Sequence, residues 1–412
     1  MTAPLTTGRA TMFIKESITT EVRASCDVLV CGGGFGGIAA ALAAAREGRR
    51  VTLLEKNYML GGLGTAGIVT IYLPLCDGYG RQVSCGIAEE LFRLSVSMGH
   101  EGRYPRNWLF GEGTRTEKDP RYECSYNPQL FAILAEQLLL SAGVKILYGT
   151  YAVAVHKDGA RIDAVIAENK SGRSAIAVQS VVDATGDADI AAFAAAPTAA
   201  FQQGNVLAAW YYSYCRQNGY TLKMLGCSDI PDEQKKEGHQ TKMLVSRRFT
   251  GIDGDEISEF MQLSHASTLN DVKKQRAVQG EDYVPVTIAT MPQLRMTRRL
   301  VGEYELDAKE RHTHFDDSIG MVADWRKRGP VYEVPFRTLY TAACPNLIMA
   351  GRCTSVTEPM WDIMRVIPCC AVTGQAAGIA AAMTGDFASL DVNELQTRLQ
   401  DRGAVLHEEE IR

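Results

Sequence analysis

The chain has 412 residues, 46% of them hydrophobic, and a formal net charge of −5. This length accommodates one large core or two joined domains, and the slightly acidic balance excludes the broad positive surface that nucleic acids or anionic membranes require. No apolar run reaches the roughly 18 residues of a membrane span, and the N-terminal stretch lacks the apolar core of a signal peptide, so we predict a soluble cytoplasmic protein.

The first glycine-rich stretch has the element order of a dinucleotide-binding unit. "CDVLVC" suits a buried parallel strand, "IAAALAAARE" a helix that ends at Gly48, and "RVTLLE" a second strand. Gly32, Gly34 and Gly37 match G-x-G-x-x-G, in which the glycines allow a tight turn, close approach to a pyrophosphate, and close packing of helix on strand. Glu55 ends the second strand, where a carboxylate accepts ribose hydroxyls. This unit alone fits NAD as well as FAD.

A second glycine-rich loop, "KNYMLGGLGTAG", follows directly after the acid and separates these two interpretations. A plain NAD domain continues with another strand and helix, whereas a folded-over FAD needs a second loop near its pyrophosphate and ribityl chain. The backbone amides of Gly61 to Thr65 would contact the cofactor, with the Thr65 hydroxyl as a further donor. A simple connecting loop is the alternative.

The next elements extend the first unit. "NPQLFAILAEQLLLSAG" predicts a helix with Asn127 as N-cap, Pro128 in the first turn and Gly143 after its end. "VKILYG" predicts a further parallel strand, and the alternating residues after it predict a three-stranded antiparallel meander. The meander ends in "VVDATGDAD", which brings the chain back to the nucleotide-binding edge.

The pattern of predicted secondary structure changes after residue 200. Aromatic strand-like residues, a charged loop "DIPDEQKKEGHQTK", a helix "EISEFMQLSHASTLNDVKKQ" and a strand-like "DYVPVTIATMPQLRMTRR" predict a mixed domain. "NLIMAGRC" and "CAVTGQAAGIAAAM" then predict a strand that stops at Gly351 and a helix of small residues. We therefore predict an α/β fold: an N-terminal extension (1–24), a discontinuous Rossmann-like FAD-binding domain with the meander (25–200 and 339–412), and an inserted α+β substrate-binding domain (201–338).

Several segments together resemble a known family. They are "VLVCGGGFGGIAAALAAA", "LLEKNYMLGGLGTAG", "VVDATGDAD", "PQLRMTRRLVGEYEL", "DDSIGMVADW", "YEVPFRTLY" and "LIMAGRC" with "MRVIPCCAVTGQAAGIAAA". In this order they are similar to the FAD-dependent oxidoreductases whose nucleotide domain is like that of glutathione reductase, in particular to the family related to the fumarate reductase flavoproteins. Residues 210–282 carry none of its motifs.

The resemblance implies an FAD cofactor held by both ends of the chain. AMP and pyrophosphate would lie on residues 32–37 and Glu55, the adenine near Val153, and the ribityl and flavin edge near the second glycine loop, Gly351 and residues 365–376. The implied contact residues are Gly32, Gly34, Phe35, Gly36, Gly37, Glu55, Lys56, Gly61, Gly62, Leu63, Thr65, Val153, Thr185, Gly186, Gly351, Arg352, Arg365, Val366 and Gln375.

The late helix adds a physical argument for this placement. Its N-terminus near Pro368, with Arg365 ahead of it, would stabilise the negative charge that a reduced flavin carries around N1 and the C2 carbonyl. One departure concerns the ribityl contact, because many relatives in the wider superfamily have Gly-Asp where this chain has Gly351-Arg352.

Missing signatures narrow the reaction class. No C-x-x-x-x-C pair follows the second glycine loop, as disulfide reductases require, and no second complete fingerprint marks an NADPH domain. The tryptophan-rich signature of flavin halogenases is absent, and no histidine near Gly61 offers a covalent link, so we expect non-covalent FAD. None of the eleven cysteines forms a C-x-x-C pair, and the Cys369-Cys370 pair favours packing over redox chemistry.

The candidate catalysts are Arg298, His314 and Tyr72. Arg298 lies in the strand-like "QLRMTRR", with Arg295 and Arg299 on the opposite face. An arginine fork there would hold a substrate carboxylate, and ion pairs with nearby acids are the alternative. For His314, in "RHTHFDDSIG", a general acid or base, a metal ligand and a plain loop residue remain open, and we predict no metal site. Tyr72 either faces the flavin or packs in the core.

These features predict an FAD-dependent oxidoreductase that exchanges a hydride between flavin N5 and a small polar organic substrate. A flavin monooxygenase and an FAD-binding electron-transfer subunit that needs a partner protein are the alternatives. We expect a small-molecule substrate and neither nucleic acid nor membrane as a partner; a homo-oligomer is an open possibility.

Overall fold

The computed structural model describes residues 14–98, 108–109, 121–226 and 243–411. The predicted loop "DIPDEQKKEGHQTK" lies outside these ranges, as does most of the predicted N-terminal extension. The described strands are β1 (Val22–Cys31), β2 (Val51–Leu54), β3 (Ile71–Tyr72), β4 (Cys124–Ser125), β5 (Lys145–Leu147), β6 (Tyr151–Asp158), β7 (Arg161–Asn169), β8 (Gly172–Asp183), β9 (Thr198–Ala200), β10 (Tyr211–Cys215), β11 (Gly219–Lys223), β12 (Val284–Ile288), β13 (Arg298–Leu300), β14 (Ser318–Ala323), β15 (Val331–Pro335) and β16 (Leu347–Met349). The described α-helices include α1 (Phe35–Arg46), α2 (Ile87–Val96), α3 (Pro128–Ser141), α4 (Asp189–Phe193), α5 (Gly254–Gln279), α6 (Glu358–Met364), α7 (Ile367–Met383) and α8 (Val392–Asp401).

A mixed sheet forms the centre of the molecule, in the order β5-β2-β1-β8-β7-β6, with β16 beside the end of β8. β1 pairs in parallel with β2 and β8, and β2 pairs in parallel with β5. The last four residues of β1 and all of β2 are buried, as expected of parallel strands that are covered on both faces. An α/β fold with a Rossmann-like central sheet is thus confirmed.

β8 connects the two halves of this sheet. Its first half pairs antiparallel with β7, which pairs antiparallel with β6, and its last three residues pair in parallel with β16. The carboxyl ends of β1, β2, β8 and β16 therefore reach the same edge of the sheet. Open α/β sheets bind ligands at this edge.

α1 and α7 pack closely because glycines lie in their contact. A Cβ at Gly374 would lie 2.3 Å from the carbonyl oxygen of Gly36, and one at Gly378 would lie 2.2 Å from that of Ala40. Both distances are below any normal carbon–oxygen contact, so a side chain at either glycine would push the helices apart. The small residues of α7 thus bring the late part of the chain against the first glycine loop.

No single described helix is long and apolar enough to span a membrane. Within the described ranges, the pair α6 and α7 alone reaches the necessary length and hydropathy, and the two helices are bent by 90° at the break between them. The residues of α7 from Ile367 to Ala382 are buried inside the protein.

The chain between residues 201 and 338 packs partly by itself and partly on the main core. β10, β11 and β12 form a separate antiparallel sheet in the order β11-β10-β12, and the 26-residue α5 contains the predicted helix of this region. Two small clusters accompany these elements: Leu207, Phe249, Phe260 and Leu294, and Tyr211, Cys215, Val272 and Tyr283. β14 and β15 instead contribute side chains to the large core around α7. The predicted domain boundaries stay a prediction.

Candidate functional site

A cavity opens at the edge of the sheet where four parallel strands end. Its wall contains the residues that follow each strand: 31–36 at β1, 54–57 at β2, 184–186 after β8 and 350–352 after β16. The second glycine loop, the start of β6 and the start of α7 complete most of the wall. Segments from both ends of the chain therefore form one cavity, at the position where doubly wound folds bind nucleotides.

The three glycines of G-x-G-x-x-G have different surroundings. Gly32 has a φ of +108°, which glycine adopts without strain, and it makes the turn after β1. A Cβ at Gly37 would lie 1.8 Å from the Gly32 carbonyl oxygen, so Gly37 allows α1 to pack on the turn. A Cβ at Gly34 would meet no described atom within 4 Å, and Gly34 lines the cavity. The open cradle at Gly34 and the amides at the start of α1 suit a pyrophosphate.

Glu55 is held at the cavity by three hydrogen bonds. The backbone N–H of Gly33 donates to Oε2 at 2.8 Å, and the backbone and side-chain N–H groups of Asn57 donate to Oε1 at 2.7 and 2.9 Å. The Glu55 residue is only 4% exposed. Because all three partners are donors, the carboxylate is fixed as an acceptor, which suits the hydroxyl groups of a ribose.

The second glycine loop lies against the first. The Gly61 N–H donates to the Gly33 carbonyl at 2.7 Å, and a Cβ at Gly62 would lie 3.2 Å from the Cα of Gly34. Gly61 and Gly62 both have positive φ values, so the backbone can make this close approach without strain. The hydroxyl of Thr65, predicted as a donor to the cofactor, instead donates to a carbonyl within the loop at 2.5 Å.

The amino end of α7 contributes Val366, Ile367 and Cys370 to the cavity wall. Arg365 also lines the cavity, and its guanidinium donates to Asp362 Oδ1 at 2.6 and 2.9 Å. The positive end of the helix dipole and a guanidinium thus lie together at the cavity. Burial raises the pKa of the Cys370 thiol to about 12, so this thiol is protonated near neutral pH and is a poor nucleophile.

A buried carboxylate anchors the turn after β8. Asp183 Oδ1 accepts hydrogen bonds from the N–H and the hydroxyl of Thr185 at 3.1 and 2.7 Å, and Oδ2 accepts two more from N–H groups of α4. Burial raises the pKa of Asp183 to about 6. The anchored turn places Thr185 and Gly186 in the cavity wall, where a Cβ at Gly186 would lie 2.4 Å from the Arg352 guanidinium.

An open glycine cradle, an oriented acid and a second glycine loop together provide what a folded dinucleotide requires. The family model described as FAD dependent oxidoreductase matches residues 27–208 and 205–399. The chain belongs to this family. It is an FAD-dependent oxidoreductase, so the predicted cofactor and enzyme class are confirmed. The glutathione-reductase-like nucleotide domain and the relation to fumarate reductase flavoproteins stay predictions.

Similarity of this oxidoreductase to individual proteins is more limited. Over 129 residues the chain is 31% identical to the sarcosine oxidase subunit alpha of Rhizobium meliloti, and the match covers 30% of this chain and 13% of that relative. Among solved structures, p-nitrophenol 4-monooxygenase from Pseudomonas putida matches at 12% identity with a TM-score of 0.46, over 92% of this chain and 84% of that one. A geranylgeranyl bacteriochlorophyll reductase-like protein from Thermoplasma acidophilum matches at 12% identity with a TM-score of 0.44, over 92% and 82%.

Most of the predicted FAD contacts line the cavity. They are Gly32, Gly34, Phe35, Gly36, Glu55, Lys56, Gly61, Gly62, Leu63, Thr185, Gly186, Gly351, Arg352, Arg365 and Val366. The described wall does not include Gly37, Thr65, Val153 or Gln375. Gln375 instead accepts a hydrogen bond from the first N–H of α2 at 2.8 Å, and residues 150–152 line the cavity in place of Val153.

The described wall also omits the three predicted catalysts. Arg298 forms an ion pair with Asp189 at 2.7 Å. Tyr72 is buried, and its hydroxyl donates to a carbonyl of α2 at 2.5 Å, as expected if Tyr72 packs in the core. The half-exposed His314 stacks on His407 with ring centroids 4.5 Å apart. A catalytic role for any of the three stays a prediction.

Arg295 is the arginine of "QLRMTRR" that reaches the cavity. The prediction that the whole run is one strand is wrong, because β13 begins only after Arg295 and strand alternation does not apply there. Arg295 is 2% exposed, donates to the Gln293 carbonyl at 2.9 Å, and has its guanidinium carbon 5.0 Å from the centre of the Trp210 ring. Arg299, predicted to share its face, instead pairs with an acid of the following segment at 2.6 Å.

Several wall residues were not predicted as contacts. They include Asn57, Val69, Ile71, Leu73, Asp189 and Met291. Asn57 adjoins the predicted Lys56, so the continuity of that loop was a usable signal. The apolar members had no such signal, because an apolar side chain in a cavity wall has the same sequence pattern as one in the core.

Proposed function

We propose that this oxidoreductase exchanges a hydride between FAD and a small polar organic substrate that carries a carboxylate. The proposal rests on the position of Arg295, whose buried side chain lies in the same cavity wall as both glycine loops. A guanidinium is positive at any accessible pH and binds a carboxylate through two parallel hydrogen bonds. The contacts of Arg295 with Trp210 and Gln293 restrict its rotation, so it would orient a bound substrate as well as attract it.

The wall residues divide between the parts of FAD. The start of α1 would hold the pyrophosphate, Glu55 the adenosine ribose, and the second glycine loop and the Gly351-Arg352 turn the ribityl chain. The amino end of α7 and Arg365 would lie at the flavin edge and stabilise negative charge there. Bound FAD supplies the hydride acceptor at N5. The chain itself would orient the substrate and exclude water.

Residues 201–338 are the substrate-binding domain in this proposal, and residues 25–200 with 339–412 are the FAD-binding domain. Arg295 belongs to the former. Its neighbour Gln293 donates from its side chain to a carbonyl of the second glycine loop at 2.5 Å. This bond supports the proposal, because it ties the substrate-orienting arginine to a loop that would contact FAD.

Anaerobic reduction of the FAD-loaded protein tests the role of Arg295. Small carboxylic acids with an oxidisable C–H bond are screened for loss of the yellow flavin absorbance, and Arg295→Gln is then compared with the wild type. We expect the substrate concentration for half-maximal reduction to rise at least about tenfold at unchanged flavin content, because a charge-assisted hydrogen bond contributes about 1.5–3 kcal/mol. Arg173→Gln removes a guanidinium that pairs with Glu168 outside the cavity wall, and it should behave as the wild type.

The other outcomes are equally informative. An unchanged half-maximal concentration in Arg295→Gln would contradict the orienting role. If no acid reduces the flavin, but labelled oxygen appears in an organic product when an external reductant is supplied, the enzyme is a monooxygenase and the hydride-exchange proposal fails.

A second proposal concerns a partner chain, and it rests on the relative whose name designates a subunit. We propose that this oxidoreductase works with a second polypeptide that receives or delivers its electrons. Purification from the natural source should then give another polypeptide in a fixed ratio, and flavin turnover should depend on it. Full turnover by the isolated chain with its substrate and a soluble acceptor would contradict this proposal.

A further inference from the structure

Two histidines and a buried glutamate meet at a second place, outside the described wall of the FAD cavity. His314 precedes β14, Glu333 lies in β15, and His407 lies in the segment after α8. One ligand atom of each lies within 4.8 Å of the ligand atoms of the other two. The proposed function uses none of these three residues.

Glu333 is the fixed centre of this cluster. Its Oε2 lies 3.0 Å from His407 Nδ1, and its Oε1 lies 3.8 Å from His314 Nδ1. The two imidazole rings are stacked, with centroids 4.5 Å apart and planes inclined by 23°. Both rings therefore present a nitrogen to the same carboxylate.

The backbone beside each histidine orients the same carboxylate. The N–H of Phe315, which follows His314, donates to Glu333 Oε2 at 2.8 Å, and the N–H of Glu408, which follows His407, donates to Oε1 at 3.2 Å. Glu333 is only 3% exposed. Hydrogen bonds of this kind hold a ligating carboxylate in place before a metal binds, so the cluster is preorganised rather than a chance meeting of surface chains.

Two further carboxylates are in reach of His314. Asp316 Oδ1 lies 3.4 Å from its Nε2, and Glu409 Oε1 lies 3.7 Å from its Nδ1. Two imidazoles with Glu333 and Glu409, which faces the same His314 nitrogen as Glu333, would give two nitrogen and two oxygen ligands with a charge that balances a divalent cation. Imidazole nitrogen selects first-row transition metals over Mg²⁺ and Ca²⁺, which prefer oxygen.

We propose that His314, Glu333 and His407 bind a Zn²⁺ ion, with Glu409 as the fourth ligand. Tetrahedral zinc with ligands at about 2.0–2.1 Å separates neighbouring donor atoms by about 3.4 Å. Glu333 Oε2 lies 3.0 Å from His407 Nδ1 and Oε1 lies 3.8 Å from His314 Nδ1, so the carboxylate and the stacked imidazole rings must rotate before one oxygen and both nitrogens meet at a single ion. The bound ion would join the segment before β14 to the C-terminal segment and stabilise both.

Calorimetric titration of the full-length, FAD-loaded protein with Zn²⁺, after chelator treatment, tests the site. We expect one ion per chain, and at least about tenfold weaker binding in His314→Ala, since even residues behind the ligands change metal affinity by about 10–100-fold. His314 is half exposed, so its replacement leaves the core intact. His156→Ala is the matched control, because it removes an exposed imidazole that also pairs with a carboxylate, and it should bind Zn²⁺ as the wild type does.

X-ray absorption of the zinc-loaded protein is the second measurement. Two imidazoles and only nitrogen or oxygen ligands at about 2.0 Å are expected, whereas a sulfur shell at about 2.3 Å would place the ion at cysteines and overturn the proposal. The absence of a stoichiometric Zn²⁺ site in the titration, or equal affinity in the wild type and His314→Ala, would overturn it as well. If millimolar Mg²⁺ displaced the bound Zn²⁺, the site would be a simple cluster of carboxylates, and this result would also overturn the proposal.

Discussion

At the scale of single residues, two glycines of the first glycine-rich stretch differ in their surroundings: one packs against the protein and the other faces the cavity. Gly37 lies against the Gly32 carbonyl oxygen, whereas a Cβ at Gly34 would enter open space in the cavity. Gly34 has a φ of −69°, so alanine fits there without backbone strain. A side chain at Gly34 should therefore weaken cofactor binding without lowering the stability of the fold.

The first prediction follows from this contrast. Gly34→Ala should weaken FAD binding at least about tenfold, since its methyl group occupies the space where the backbone approaches the pyrophosphate, while the melting temperature of the apoprotein stays within about 2 °C. Fluorescence titration with FAD and thermal unfolding measure the two effects. Gly254→Ala is the control, because Gly254 also faces open space and lies outside the cavity wall. Wild-type FAD affinity in Gly34→Ala would refute the assigned cradle.

Asp183 gives a prediction about pH. Burial raises its pKa from 3.8 to about 6, so the folded state holds the proton more tightly than the unfolded state does. The stability that Asp183 contributes is therefore fully present below about pH 4 and falls as pH rises to about 6, by about 3 kcal/mol in total.

The test compares free energies of unfolding of the wild type and Asp183→Asn, which does not titrate. Between about pH 4.5 and pH 7 the wild type should lose about 2 kcal/mol relative to the variant. In the Asp183→Asn variant an amide N–H faces the N–H donors of α4, which lowers the free energy of unfolding. This loss does not depend on pH, so it cancels when the two pH values are compared. A difference that does not change with pH would mean that the Asp183 carboxylate is already ionised at the lower pH.

At the scale of secondary-structure elements, the contact between α1 and α7 controls the shape of the cavity. Gly374 of α7 touches the carbonyl of Gly36 in the first turn of α1, directly after the first glycine loop, and Gly378 touches Ala40 one turn further along α1. Each alanine substitution should cost about 1–3 kcal/mol of unfolding free energy, because the helices must separate. Only Gly374→Ala also displaces the loop, so it should weaken FAD binding more than Gly378→Ala.

Denaturant unfolding and FAD titration of the two variants measure these effects side by side. Gly378→Ala is the internal control for loss of stability alone. Equal FAD affinities in the two variants would mean that the first loop does not depend on its contact with α7.

At the scale of the whole molecule, the cavity proposed for FAD joins distant parts of the chain. The loops after β1 and β2 lie in its wall beside the residues after β16 and the start of α7. A ligand bound there contacts both ends of the chain at once and must stabilise the folded state as a whole.

The matching prediction concerns removal of FAD. At a free concentration of about a hundred times its dissociation constant, FAD should add about 2.7 kcal/mol to the free energy of unfolding, or about 3 °C in melting temperature for a chain of this length. Thermal scans with and without FAD test this. FMN lacks the adenosine and the second phosphate assigned to Glu55 and the first glycine loop, so it should give a much smaller shift. Equal shifts with FMN and FAD would contradict that assignment.

Most of the residues that line the cavity were predictable from the sequence because their requirements are local. Gly32 has a backbone conformation that other residues adopt poorly, Gly34 leaves open space beside the cavity, and Glu55 follows at the end of the next strand. Such features show in one short stretch of sequence. Gln375 and Thr65 bond to protein groups, and whether such side chains point into the cavity or into the protein depends on the packing of neighbouring elements.

The sequence by itself determined the family, the cofactor and the α/β fold. Steric requirements at glycines and the alternation of buried strands with helices are visible in short stretches of sequence. Only the tertiary structure decided that Arg295 rather than Arg298 faces the cavity, since this stretch is irregular and has no period from which side-chain direction follows. It also decided that His314 and His407 meet at Glu333. Contacts between residues so far apart in the chain depend on how the elements pack, and no short stretch of sequence contains that information.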